Sequence, residues 1–156
     1  MKIKTIAALA LAAFVSAPAM ADEYGELIRI DRLGNLLVNT GDSAHFYTLQ
    51  VRCLATYSVL GQVFESAGQT KVAAQFFQAS VDLLEATPST KLAKSDRKPT
   101  YAEKEQVKKD SIKIAYRYSN MLFNRMTHNS DTTGEMFSND EIIKSDIKAC
   151  KKFFYS

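Results

Sequence analysis

The chain has 156 residues, 46% of them hydrophobic, with 20 basic and 17 acidic residues and a formal net charge of +3. Removing residues 1–21, which contain two lysines and no acidic residue, would leave 18 basic against 17 acidic residues. This balance argues against a nucleic-acid-binding surface, and the length suits one domain with a sizeable core.

The first 21 residues have the pattern of a secretory signal peptide. Lys2 and Lys4 precede an apolar run over residues 6–15, and an Ala-x-Ala site ends at Ala21. The run is too short to span a bilayer, which requires about 20 apolar residues. We therefore expect cleavage after Ala21, a mature single helical domain over residues 22–156, and a periplasmic or secreted protein that is not an integral membrane protein.

Residues 24–40 leave two structures open. Apolar residues recur there at helical spacing, whereas Gly25 and Gly34 each weaken a helix by about 1 kcal/mol relative to alanine. The alternatives are a helix and a short hairpin that turns near Gly34.

Two helices are predicted between residues 43 and 86. The first carries an apolar stripe at intervals of three or four residues, formed by Phe46, Leu49, Cys53, Tyr57, Leu60 and Phe64. Gly68 suits the end of this helix. The second begins near Thr70, and its buried face comprises Val72, Ala73, Phe76, Phe77, Ser80, Val81 and Leu84. The short connection predicts an antiparallel helix hairpin.

A polar, lysine-rich loop is predicted over about residues 87–99, because Pro88 and Pro99 each disfavour helix. Capping boxes then begin two further helices, at Thr100 with Glu103 and at Ser138 with Glu141. The first of these helices runs to about residue 127. The chain is therefore predicted to be all-α, a small bundle of four to five helices with the antiparallel hairpin at its centre.

Residues 53–86 resemble a single tetratricopeptide repeat. The resemblance depends on the residues Tyr57, Leu60, Gly61, Phe64, Ala73 and Phe77. It covers one repeat only, and repeats of this type normally stack in threes or more. The resemblance implies a close-packed helix hairpin, with a partner-binding groove as one possible use.

Cys53 and Cys150 are the only cysteines. An even cysteine count in an oxidising compartment favours a disulfide between them. Its loop of about 100 residues would contribute up to about 4–5 kcal/mol. The alternative is a reactive thiol, which needs a nearby base and an electropositive setting. Since neither cysteine belongs to a C-x-x-C pair, we expect a structural disulfide.

Residues 129–140 form a polar segment between two predicted helices. Asn129, Asp131 and Thr133 occupy the first, third and fifth positions of a calcium-binding loop, with Gly134 sixth and Asp140 twelfth. The twelfth position normally holds a bidentate glutamate, and the aspartate is shorter. A plain polar loop is favoured, with a weak calcium site as the alternative and no other cofactor.

The sequence contains none of the common motifs for a catalytic serine, a catalytic zinc or a phosphate-binding loop. We therefore expect a non-enzymatic exported protein that binds an envelope or secreted protein, as an adaptor, inhibitor or immunity-like module. The predicted binding residues are Tyr57, Phe64, Phe76 and Phe77, because aromatic residues crowd the hairpin. The adjacent Phe76 and Phe77 cannot both face the core of their helix, so one of them is expected to be partly exposed. The alternative is a periplasmic carrier of a small apolar ligand bound among the same rings.

Overall fold

The computed structural model describes residues 43–137 and 140–154, with the side chains of residues 152–154 left out. Within these ranges there are four α-helices: α1 (Ser43–Ser66), α2 (Thr70–Lys91), α3 (Tyr101–Thr133) and α4 (Glu141–Phe154). The prediction of a small all-α helical bundle is confirmed. None of the described helices is long and apolar enough to cross a membrane. The predictions for residues 1–21 and 24–40 lie outside the described residues.

Helix α1 occupies the centre of the bundle. Every residue from Leu49 to Tyr57 is buried, because α2, α3 and α4 all pack against this helix. The sequence predicted a single apolar stripe on α1, whereas its middle section is enclosed on all sides. Polar residues at that level, such as Gln50 and Arg52, are therefore buried as well.

Helix α2 folds back along α1. Near the start of α1, the Gln50 side-chain amide donates a hydrogen bond to the backbone carbonyl of Leu83 at 3.2 Å. Further along, the Tyr57 ring lies 5.8 Å from the Phe76 ring. A later residue of α1 thus contacts an earlier residue of α2, so the two helices are antiparallel, as predicted.

Helix α3 runs parallel to α1 and therefore antiparallel to α2. The Tyr47 and Ser111 hydroxyls are 3.0 Å apart, and the Ser119 hydroxyl donates to the backbone carbonyl of Ala55 at 3.4 Å. Both contacts join residues 64 positions apart in the sequence. A constant separation is what two helices running in the same direction produce.

Helix α2 continues through Pro88 to Lys91, so the predicted loop over 87–99 begins too early. Pro88 has no N–H to donate to the carbonyl of Leu84. The Thr87 hydroxyl donates to that carbonyl instead, at 2.7 Å. This side-chain bond satisfies the group that a helical proline leaves without its backbone donor, which allows one more turn of helix.

Helix α3 begins with the predicted capping box at Thr100 and Glu103 and extends to Thr133, beyond its predicted end near residue 127. It ends at Gly134, whose φ of 77° lies in the left-handed region that glycine adopts readily. Helix α4 begins at Glu141. Its cap is the Asp140 carboxylate, which accepts backbone N–H groups of the first turn, and the predicted cap Ser138 lies outside the described residues.

Candidate interaction surfaces

Three of the four predicted binding residues form one aromatic cluster at the turn end of the α1–α2 hairpin. The rings of Phe64 and Phe76 stack with centroids 5.4 Å apart and planes 6° from parallel. Tyr57 lies beneath them and is only 4% exposed, whereas Phe64 and Phe76 are half-buried. Each of the two phenylalanines therefore keeps part of its surface open to solvent, and Tyr57 packs against the Phe76 ring from the core side. We call Phe64 and Phe76 the aromatic pair.

Phe77 is separate from the aromatic pair and packs between the two helices. A Cβ atom at Gly61 would lie 2.5–3.0 Å from three atoms of the Phe77 ring, closer than real Cβ contacts allow. Only glycine leaves room for the ring at that position. Phe77 therefore acts as a packing residue whose ring fits against the backbone of α1.

The Sγ atoms of Cys53 and Cys150 lie 2.06 Å apart, at disulfide distance, and join α1 to α4. Both residues are fully buried. A thiol shielded in this way lacks the partly exposed setting that reactive cysteines share. The geometry is that of a structural link across 97 residues of sequence.

A buried ion pair lies beside the cysteine pair, and no local sequence pattern predicted it. Arg52 donates to both carboxylate oxygens of Asp146, from Nε at 3.0 Å and from Nη2 at 2.8 Å. The side chains are 1% and 0% exposed. The Arg52 guanidinium also lies 5.8 Å from the centroid of the Tyr118 ring. The one available signal was a basic residue inside the apolar middle of α1, and its partner 94 residues away could not be read from that signal.

The predicted calcium ligands do not form a loop. Asn129, Asp131 and Thr133 lie in the last turns of α3, and the Thr133 hydroxyl donates to the Asn129 carbonyl at 2.8 Å. The Asn129 side chain turns its amide N–H towards Asp140, donating at 3.0 Å. The interhelical segment is therefore much shorter than the predicted 129–140. No group of three or more His, Cys, Asp or Glu suited to a metal occurs within the described ranges.

Asp140 connects α3 to α4. It is 4% exposed, pairs with Arg125 of α3 and caps α4 through the backbone N–H of Ile143 at 3.1 Å. Burial acts to raise the pKa of this carboxyl, but hydrogen bonds from Asn129, Ile143 and Arg125 outweigh it and lower the pKa. Asp140 is thus held as a charged group that fastens the two helices.

A second surface follows the line where α2 and α3 meet. Val81 on α2 and Ile112 and Tyr116 on α3 are each 50% exposed, which is high for large apolar side chains. We call these three residues the α2–α3 strip. The sequence predicted that Val81 lies on the buried face of α2. This was wrong, because α3 packs against a neighbouring face of α2 and leaves Val81 exposed.

Comparison of the chain with known protein families, with curated proteins and with solved structures finds no match. The tetratricopeptide resemblance therefore stays a prediction based on its own residues. Two of them, Gly61 and Ala73, are buried in the hairpin, where small residues permit close approach of α1 and α2.

Proposed function

We propose that the chain is a small exported, non-enzymatic helical protein that binds an envelope or secreted protein through the aromatic pair. The observation that carries this proposal is the stacking of Phe64 on Phe76 at a half-buried position. Aromatic rings held in place lose little side-chain entropy on binding and offer a large apolar area, as binding hot spots do. The complementary partner surface is an apolar pocket or a further aromatic ring.

The scaffold behind the pair supports this proposal, because its helices are linked to one another. The cysteine pair and the Arg52–Asp146 ion pair both connect α1 to α4, and Phe77 packs against Gly61 between α1 and α2. A surface that is already ordered has a smaller conformational-entropy cost of association than one that must be ordered by its partner. We infer an adaptor, inhibitor or immunity-like role.

The arrangement of the rings favours protein binding over the carrier alternative. A carrier would use Tyr57, Phe64, Phe76 and Phe77 as the walls of a cavity. Here Phe76 contacts both Tyr57 and Phe64, and Phe77 fills the notch at Gly61. The rings occupy with one another the space that a ligand would need.

Site-directed photocrosslinking tests the proposal while preserving an aromatic side chain at the site. The photoreactive residue p-benzoyl-phenylalanine would replace Phe76 in the exported protein, expressed in its native envelope. The control would carry it at Tyr101, which is 79% exposed at the start of α3. In the antiparallel α2–α3 pair, that position lies roughly 24 Å along the helix axis from the level of Phe76.

We expect a discrete crosslinked protein from position 76 and none from position 101. The additional change Phe64→Gln should remove the crosslink, with circular dichroism confirming unchanged helix content. Identical crosslinks from both positions, or none from position 76, would contradict the proposal. Mass spectrometry of small molecules that co-purify with the chain would then test the carrier alternative.

A further inference from the structure

We propose that the α2–α3 strip binds a second copy of this chain and forms a symmetric dimer. This goes beyond the proposed function, because the strip lies on a different surface from the aromatic pair. Half of each large apolar side chain in the strip is exposed. A self-complementary contact would bury the strip of each copy against that of the other.

An ion pair between the two helices fixes the register of the strip. The Lys108 ammonium lies 2.6 Å from the Glu85 carboxylate, so these residues are level in the antiparallel α2–α3 pair. One helical turn further, Val81 is level with Ile112, and Tyr116 follows on the next turn of α3. The three side chains are therefore neighbours along one line.

The charges that border the strip differ in sign between the two helices. On α2 the exposed Asp82 accepts a hydrogen bond from Gln78 at 2.9 Å, which holds its carboxylate outside the strip. On α3 the exposed Lys109 and Lys113 project from the solvent side, and the Lys113 ammonium also lies 4.0 Å from the Asp110 carboxylate of its own helix. By the same register, Asp82 is level with residue 111, midway between the two lysines. At this level α2 therefore presents one acidic group, whereas α3 presents two basic groups with one aspartate between them in the sequence.

This asymmetry selects one arrangement of two copies. A two-fold axis parallel to the helices places α2 of each copy over α3 of the other and preserves their level along the axis. Asp82 then faces Lys109 and Lys113 of the second copy, and this contact occurs twice, as an isologous interface requires. A two-fold axis across the helices would place α2 over α2, so that Asp82 would lie on the same side as Asp82 of the second copy.

The size of this surface is adequate for a weak, specific dimer. Helix α2 has 22 residues and is about 33 Å long, and two packed helices are about 20 Å wide. The face that they form measures roughly 650 Å², close to the ~800 Å² per partner of a standard interface. The second copy also supplies the opposite charge at each edge, which makes it the occupant that this surface fits.

Sedimentation equilibrium on the mature chain, residues 22–156 without reductant, would test the dimer. We expect a concentration-dependent mass that approaches twice the monomer mass, with association weakened at high salt. Tyr116→Ser should weaken association roughly tenfold, the effect of losing one well-placed apolar contact. The matched control is Tyr101→Ser, which removes an exposed tyrosine of the same helix outside the strip and should leave association unchanged.

A charge-reversal pair tests the arrangement itself. Asp82→Lys places two like-charge contacts in its homodimer, and so does Lys113→Asp, so each variant alone should associate roughly tenfold more weakly. In an equimolar mixture, a dimer with one copy of each variant has opposite charges at both contacts. We therefore expect association to return to near the wild-type level as a mixed dimer.

Three results would overturn the proposal. One is a monomer at all concentrations up to roughly 1 mM, because a dissociation constant above that value means that association is negligible. Another is a dimer whose affinity none of the strip and charge variants changes. The third is an intramolecular crosslink from a photoreactive residue at Tyr116 to residues 22–42, which would assign the strip to that segment. None of these results bears on the aromatic pair, so they leave the proposed function to its own test.

Discussion

Asp146→Ala is expected to be among the most destabilising single changes in the described part of the chain. The substitution removes the carboxylate that accepts two hydrogen bonds from Arg52, at 3.0 and 2.8 Å. The Arg52 side chain is 1% exposed, so its guanidinium cannot recover those bonds from water without local opening of the bundle. Loss of this carboxylate from beside a buried cation is the main source of the expected loss.

The expected loss is about 3–5 kcal/mol, the usual effect of removing one partner from a buried ion pair. A domain of this size is stable by about 5–15 kcal/mol, so the change would remove a large share of the total. The double substitution Arg52→Met with Asp146→Leu should cost much less than Asp146→Ala alone, because it buries no charge. The single and double variants differ because a buried charge loses its hydration. Removing one partner leaves the other charge buried without that partner, whereas replacing both partners with apolar side chains leaves no buried charge.

Urea unfolding followed by circular dichroism at neutral pH, without reductant, would measure these free energies. With an m-value of about 1.5 kcal/mol/M, Asp146→Ala should lower the midpoint by roughly 2–3 M. The control is Asp110→Ala, which removes a 50% exposed carboxylate from α3 and should change stability by about 0.5 kcal/mol or less. A loss below about 1 kcal/mol for Asp146→Ala, or a double variant as unstable as the single, would refute the reasoning.

Three further predictions concern other contacts. Replacing both cysteines with alanine should lower the free energy of urea unfolding by up to about 4–5 kcal/mol, through release of the 97-residue link; an unchanged midpoint would contradict this. Gly61→Ala should destabilise by about 1–3 kcal/mol, although alanine favours helix, because its Cβ overlaps the Phe77 ring; Phe77→Leu in the same chain should recover part of the loss. A carbon-13 NMR titration should place the Glu103 carboxyl near pKa 2, because Arg97 and the Thr100 cap stabilise its charged form; its contribution to stability is full above its unfolded pKa of about 4.3 and is lost as the pH falls through about 2. Arg97→Met should raise that pKa, and a wild-type midpoint near 4.3 would show that the ion pair does not form in solution.

The sequence was sufficient for features that depend on neighbouring residues. The helix hairpin followed from the spacing of apolar residues on either side of Gly68, and the capping box at Thr100 and Glu103 was recognisable because its two side chains lie one turn apart. The last helix was also placed correctly; the Asp140 carboxylate caps its first turn, and the predicted cap Ser138 lies outside the described residues. Local patterns of this kind depend on backbone geometry that a few residues determine by themselves.

Helix ends were less predictable, because side chains alter the usual effect of a helix-breaking residue. Pro88 was expected to end α2, but the Thr87 hydroxyl occupies the carbonyl that proline leaves without a donor. The polar residues 129–133 were expected to form a loop and instead extend α3, with hydroxyl groups bonded to backbone carbonyls one turn earlier. In both places the composition suggests a loop, while the local hydrogen bonds favour helix.

The sequence by itself determined that the described part of the chain is helical and where its hairpin turns, and it predicted that its two cysteines pair with each other. The tertiary structure decided which sides of those helices are covered. Arg52 and Asp146 meet although 94 residues separate them, whereas Val81 is exposed although it fits an apolar stripe. The physical reason is that helical periodicity records which residues share a face, and only the packing of the other helices determines whether that face meets protein or water.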